Sequence, residues 1–267
     1  MKKNLPVIAI CGIMLIGLCV FLYPIVSGLL ARMTQSSTIA QYRYAVDHLS
    51  EDKVKQMKAE AEKYNQSLSG TTLSDPFNDK EQGKKSPIEM ISIDDTFGYI
   101  EIPKINVYLP LYYGTAEETL TKGVGILENT SLPIGGEGTH SVLSGHRGLP
   151  SATLFTDLDQ LQEGDVFYIH VLDEVLVYQV DQIKVVDPEV TSDLTIVPGK
   201  DYVTLLTCTP YGINTQRLLI RGTRIENTIQ FKPKQIELLL SNEVTVVPTF
   251  VMLMIAFCVV IFIRRKR

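Results

Sequence analysis

Three side chains far apart in the sequence could together carry thiol chemistry: Cys208, His146 and Arg217. A thiolate attacks a carbonyl carbon, an imidazole moves the proton, and a guanidinium supplies donors where negative charge collects on oxygen. Cys208 follows the apolar run Tyr202 to Thr207 and precedes Thr209-Pro210-Tyr211-Gly212, so it lies where a strand gives way to a turn. A purely structural cysteine belongs inside such a run. His146 follows Ser141-Val142-Leu143-Ser144-Gly145 and opens Arg147-Gly148-Leu149-Pro150, again a strand end meeting a loop. Taken alone, that segment suits a hydrogen-bonded structural histidine equally well. Arg217 starts Arg217-Leu218-Leu219-Ile220-Arg221-Gly222, and an antiparallel return through the Tyr211 to Gln216 turn brings that start beside Cys208. Arg221 and Arg224 compete with it, and a solvated strand edge accounts for all three arginines.

The other candidates are weaker. His48 falls in a helical stretch, His140 alternates out of its strand, and His170 sits inside a hairpin strand. A phosphate-loop thiol phosphatase is excluded because bulky Tyr211 and then Asn214 follow Cys208 where a short backbone cradle is needed. His140, His146 and Cys208 lack the spacing of a four-ligand zinc site, so neither a metal nor a cofactor is expected. The acidic pair Glu117-Glu118 reads as solvated surface. The formal net charge of -5 sets nucleic-acid binding aside.

The ends of the chain set where this chemistry takes place. Leu5 to Leu30 and Val244 to Ile263 are apolar runs long enough to cross a hydrocarbon core, which takes about 20 residues. Lys2-Lys3 and Arg264 to Arg267 flank them and belong on the cytoplasmic side, which leaves Arg32 to Glu243 outside the cell. The first run is longer than the about 7 to 15 apolar residues of a secretory signal and has no clear small-residue cleavage site, favouring a retained anchor. Cys11, Cys19 and Cys258 lie in these runs, so Cys208 is alone in the exported part and an internal disulfide is impossible there.

Between the anchors, Ile39, Tyr42, Ala45, Val46 and Leu49 recur at helical spacing, and Ser50 before Glu51-Asp52 reads as an N-cap. Two short helices or one bent helix are expected. Ser69 to Pro87 has no apolar period and is long for a loop in a compact domain, with Phe77 standing alone in it. From Tyr99 onward short β-type runs follow: Tyr99 to Ile102, Val107 to Tyr113, Ser141 to Gly145, Val166 to Leu172, Val175 to Val186, Tyr202 to Thr207 and Leu218 to Arg224. Most are bounded by Gly, Pro, Asn or Asp, the pattern of a β-barrel or sandwich. Asp173-Glu174 is expected to turn a hairpin, and Glu117 to Lys122 and Ser151 to Leu161 to form short surface helices.

The run Thr204-Leu205-Leu206-Thr207-Cys208, its continuation Thr209-Pro210-Tyr211-Gly212, the arginine strand from Arg217 and the segment Ser144 to Pro150 together resemble the sortases, specifically the pilin-polymerising class C enzymes. The resemblance spans nearly all of the exported chain. It implies a mostly β, closed sortase-type barrel with short surface helices, an N-terminal helical arm and a transmembrane helix at each end. The corresponding divisions are an anchor or signal at 1–31, the arm at 32–68, a lid loop at 69–90, the catalytic barrel at 91–230, a juxtamembrane segment at 231–243 and a second span with a basic tail at 244–267. It further implies a multi-pass protein of the cell membrane whose extracellular cysteine transpeptidase domain cleaves LPxTG-like signals between Thr and Gly. An acyl group carried as a thioester on Cys208 then passes to a pilin lysine, with His146 as general acid and base and Arg217 holding substrate and oxyanion. Asp75-Pro76-Phe77 matches the class C lid, in which Phe77 covers the cysteine and Asp75 pairs with the arginine. Leu206 and Thr207, beside the cysteine, are expected to touch substrate. A housekeeping sortase acting on peptidoglycan, a cysteine peptidase and a non-catalytic pilus-assembly scaffold are the alternatives. The lid, the second span and the intact Cys208, His146 and Arg217 speak against them.

Overall fold

The computed structural model describes residues 5–68, 73, 75–77 and 92–226. Two units divide the chain: one holds the apolar start up to Val26, and the other runs from Ser27 through the barrel. Helix α1 spans Leu5–Asp47 with Pro24 inside it, and from Gly12 onward it is long and apolar enough to cross a membrane. The expected second span at 244–267, the juxtamembrane segment before it and most of the 69–90 loop lie outside the described residues.

The arm is two helices, but the first is no separate piece: α1 continues without interruption through Ile39, Tyr42 and Val46, which are buried against Tyr99. The Tyr42 hydroxyl donates to the Phe97 carbonyl at 3.0 Å and accepts from the Leu172 amide at 2.8 Å, pinning the arm to two barrel segments. Ser50 caps α2 (Glu51–Gln66) by accepting from the Lys53 amide, with Glu51 and Asp52 in the favourable first turn. Val54, Met57 and Ala61, three and four residues apart, form the one buried face of α2 and join the main core.

Eight strands close the barrel: β1 Thr96–Ile102, β2 Val107–Tyr113, β3 Val124–Ile126, β4 Thr139–Ser144, β5 Val166–Val171, β6 Glu174–Val186, β7 Asp201–Thr209 and β8 Gln216–Ile225. Their order is β1-β2-β3-β4-β7-β8-β6-β5, and β5 returns to pair with β1. Closure leaves no edge strand to template aggregation. Inward residues such as Ile100, Leu111, Ile126, Leu143, Phe167 and Val203 fill the interior and are almost fully buried. The β2 to β3 connection is a parallel crossover carried by helix α3 (Glu117–Lys122), as its sequence predicts.

Three details depart from the sequence reading. Strand β3 is too short for alternation to show; its Gly125 passes so close to the Gly114 carbonyl that an added Cβ would lie 2.4 Å from that oxygen. The β5–β6 hairpin turns on Leu172-Asp173, since Val171 pairs with Glu174 and Leu172 takes a φ of 49°. Of Ser151 to Leu161 only Leu158–Gln160 winds, as a single 3-10 turn.

Candidate active site

Strands β4 and β7 run parallel and end together. Ser144 pairs with Leu206, and the Gly145 amide donates to the Leu206 carbonyl at 3.1 Å. Two residues beyond that last pair on each strand stand His146 and Cys208, so parallel register carries both to the same rim of the barrel. Strand β8 returns antiparallel and starts at that rim, where Arg217 is the partner of Cys208. The sheet thus gathers three residues separated by up to 71 positions (217 − 146) through backbone pairing alone.

Local packing holds each of them. The Thr207 hydroxyl, fully buried, donates to the Gly145 carbonyl at 2.7 Å and ties the two strand ends together. Gly145 must be glycine, because a Cβ there would meet the Phe155 ring at 2.8 Å. The Phe155 amide in turn donates to the His146 carbonyl at 3.1 Å. Arg217 spends all three guanidinium nitrogens: Nε and Nη2 donate to the two Asp75 oxygens at 2.8 and 2.7 Å, and Nη1 donates to the Asn214 and Gln216 carbonyls at 3.1 and 3.0 Å.

Asp75, Pro76 and Phe77 therefore sit over this rim. The Phe77 ring lies 5.8 Å from the His146 ring and 5.2 Å from the Arg217 guanidinium carbon, centroid to atom in the second case. Leu73 and Phe77 also pack onto a small apolar cluster, Leu127, Val142, Leu194, Leu206 and Leu219, separate from the main core. Pro76 is buried between the two residues that make these contacts. Beneath the lid Cys208 is only 8 % exposed. That burial pushes its thiol up from the ordinary cysteine range; the Arg217 charge pulls it down, and the Asp75 carboxylate pushes it up again.

Leu206 and Thr207 are placed differently from a substrate-contacting pair. Both are buried, Thr207 with its hydroxyl committed to Gly145 and Leu206 in the cluster under Phe77. The remaining histidines are elsewhere and occupied. His140 does not point out of its strand: it is buried between the Thr195 carbonyl and the Thr204 hydroxyl, and its burial lowers its affinity for a proton. His170 stacks on Tyr99 at 4.1 Å. Arg221 forms a two-bond pair with Asp181 over the Tyr202 ring, and Arg224 lies over Tyr178. Of the three candidate arginines only Arg217 faces the thiol strand end.

A thiol, an imidazole and a guanidinium at one rim under an aromatic cover are suited to acyl transfer. Residues 100–225 match the Sortase domain family. Sortase D of Bacillus subtilis (strain 168) is 32 % identical over 179 residues, covering 66 % of this chain and 84 % of that protein. This chain belongs to the sortases. The sortase is accordingly a cysteine transpeptidase, and its structural likeness is to class C. The crystal structure of sortase C-1 from Streptococcus pneumoniae is 49 % identical with a TM-score of 0.69, covering 71 % of this chain and 98 % of that one. The pilus-related sortase C of Group B Streptococcus is 47 % identical with a TM-score of 0.67, over 70 % and 96 % of the two chains.

Two residues of the sortase site escape sequence reasoning. Arg147, next to His146, donates from Nε to the Thr156 carbonyl and from Nη1 to the Thr209 hydroxyl, each at 3.1 Å, and from Nη2 to Asp159. It lies over the Tyr211 ring as well. One guanidinium thus joins the residue after the imidazole to the residue after the thiol. Adjacency to His146 was its only signal. Arg147→Ala removes the donor to three protein acceptors and is expected to destabilise the fold by roughly 2–3 kcal/mol. A thermal unfolding shift of less than one degree would sink this assignment. The second residue is Glu117, whose carboxylate lies 3.1 Å from His146 Nε2, while its neighbour Glu118 pairs with Lys122 as surface residues do.

Proposed function

We propose that this sortase polymerises pilus subunits: it cuts an LPxTG-like sorting signal between Thr and Gly, holds the acyl group as a thioester on Cys208, and delivers it to a lysine of the next pilin. The observation that carries this reading is the convergence of Cys208, His146 and Arg217 on one rim beneath the Asp75-Pro76-Phe77 cover. The pilus-related sortase C of Group B Streptococcus supports the choice of substrate.

In the first half-reaction the Cys208 sulfur attacks the threonine carbonyl, and His146 receives the thiol proton and passes it to the departing glycine amine. In the second, a neutral lysine amine attacks the thioester, gives its proton to His146, and the sulfur leaves. Arg217 serves the oxyanion in both halves, because its fork of donors keeps its charge at any working pH. It can do so only after Asp75 withdraws, since Asp75 now takes two of its donor positions. The same withdrawal lifts Leu73 and Phe77 from the Leu206 and Leu219 cluster, exposing an apolar floor on which the apolar part of a sorting signal can lie. Leu206 would meet substrate in that state, whereas Thr207 ties the strand ends in both.

The apolar helix at the N-terminus anchors the enzyme, and the apolar run from Val244 to Ile263 supplies a second span by composition. Both flanks are basic, which puts the barrel outside the cell. Confinement to one membrane face raises the effective concentration of enzyme toward membrane-held substrates. The test is intact mass spectrometry of the full chain with an LPxTG peptide and then with pilin. A Cys208-linked acyl adduct followed by pilin dimers is expected, with neither in Cys208→Ala. Adduct formation in Cys208→Ala, or an adduct that only water resolves when pilin is present, would refute the assignment.

A further inference from the structure

We infer that Glu117 is a positioning residue for His146: its carboxylate accepts the Nε2 proton, fixes that tautomer, and leaves Nδ1 as the nitrogen that exchanges protons during acyl transfer. The inference rests on His146 being the proton carrier proposed above.

An ionised glutamate is acceptor-only, so an imidazole nitrogen 3.1 Å from it must carry the hydrogen. Neutral imidazole has one N–H, and placing it on Nε2 leaves the lone pair on Nδ1. Among the described residues no hydrogen bond reaches Nδ1, and the Phe77 ring lies 5.8 Å from the imidazole. Nδ1 is therefore available to take the thiol proton. When it does, the ring becomes cationic with Glu117 already beside it.

An exposed glutamate would ordinarily be too mobile for this role, and the Glu117 side chain is 65 % exposed. Here its helix is fastened at three places. Before α3, Thr115 donates its amide and its hydroxyl to the Glu128 carboxylate at 3.2 and 2.9 Å. Within α3, Leu120 is 1 % exposed. At its end, Gln35 of α1 donates to the Lys122 carbonyl at 3.2 Å. These ties hold the backbone of Glu117 in place before any substrate arrives, so only a few side-chain torsions remain to be ordered. Among the described residues Asp75 and Arg217 neutralise each other, and Arg147, next to His146 in the chain, is committed to Asp159. Glu117 is thus the carboxylate in contact with the ring.

The S–H proton of Cys208 moves to Nδ1 as the sulfur–carbon bond forms. That proton then goes to the glycine nitrogen as the carbon–nitrogen bond breaks. In the return half, Nδ1 accepts a proton from the lysine amine as the new amide forms, and hands it to the departing sulfur. The Nε2 proton stays on Nε2 throughout.

The experiment uses the full chain in lipid nanodiscs with 15N-labelled histidine, comparing wild type, Glu117→Ala, Glu117→Gln and Glu118→Gln, with His146→Ala to identify the ring signals. In wild type the His146 nitrogens should report protonated Nε2 and unprotonated Nδ1 in the neutral ring. Glu117→Gln, which keeps an acceptor oxygen, should retain that tautomer, while Glu117→Ala should mix the two. Steady-state transpeptidation should show kcat lower by about five- to tenfold in Glu117→Ala with KM within twofold, a smaller loss in Glu117→Gln, and no change in Glu118→Gln. A wild-type ring protonated on Nδ1, an unaltered tautomer in Glu117→Ala, or a loss confined to KM would overturn the inference. If His146→Ala itself retained turnover, the reading of His146 would fall; if His146→Ala were dead and Glu117→Ala normal, only the role of Glu117 would.

Discussion

Arg217→Lys should slow thioester formation by roughly 100- to 1,000-fold, the loss typical of removing an oxyanion donor from a preorganised site. Lysine keeps the positive charge, so the size of the effect measures geometry. The guanidinium reaches Asp75 through two nitrogens while a third spans the Asn214 and Gln216 carbonyls. An ammonium is a single point with three donors and cannot hold two backbone carbonyls and present a planar fork at once. Its backbone position opposite Cys208 is set by β7–β8 pairing, which the substitution leaves intact. The unfolding midpoint should accordingly move little compared with the rate. Single-turnover acylation by an LPxTG peptide reads the effect directly, and a variant within tenfold of wild type would remove Arg217 from the chemistry.

Asp75→Ala combined with Phe77→Ala should accelerate alkylation of Cys208 on the order of tenfold or more at neutral pH. Two physical effects point the same way. The lid shields a thiol that is 8 % exposed, so its removal opens the path for reagent. Burial and the Asp75 charge both push that thiol up, while Arg217 pulls it down. Removing the first two leaves the third, so the alkylation midpoint should fall and the reactive thiolate fraction at neutral pH should rise. In wild type the rate should keep climbing above the ordinary cysteine range. A rate and a midpoint both equal to wild type would show that the lid does not cover the thiol in solution. Because Asp75 and Arg217 are each about nine-tenths buried, Asp75→Ala alone strands a cation, and the lid should then loosen rather than stay shut. The double variant should also hydrolyse the thioester faster, since water is no longer held off the site.

The barrel was legible wherever strands were long and bounded by turn residues. Seven of its eight strands follow the apolar runs, and β3 was lost because three residues cannot display alternation. The Ser50 cap was legible for the same local reason, one side chain bonding a backbone amide three residues on. The hairpin at Leu172 was misplaced by one residue because a leucine with positive φ gives no compositional sign of a turn. Alternation alone turns His140 outward, yet a loop at Thr195 folds over it and supplies its partner.

Residue types and short-range pattern made Cys208, His146 and Arg217 candidates and set an apolar anchor at the N-terminus, and the family resemblance of a few short runs singled out Asp75-Pro76-Phe77. Those features are local, written into the order of a few neighbouring side chains. Which arginine faces the thiol, that Thr207 braces strands, that Arg147 links the two loop starts, and that Glu117 touches the imidazole were settled by strand register and by the placing of α3 between β2 and β3. Such contacts join residues dozens of positions apart, and no local pattern encodes a distance that arises only when a sheet closes on itself.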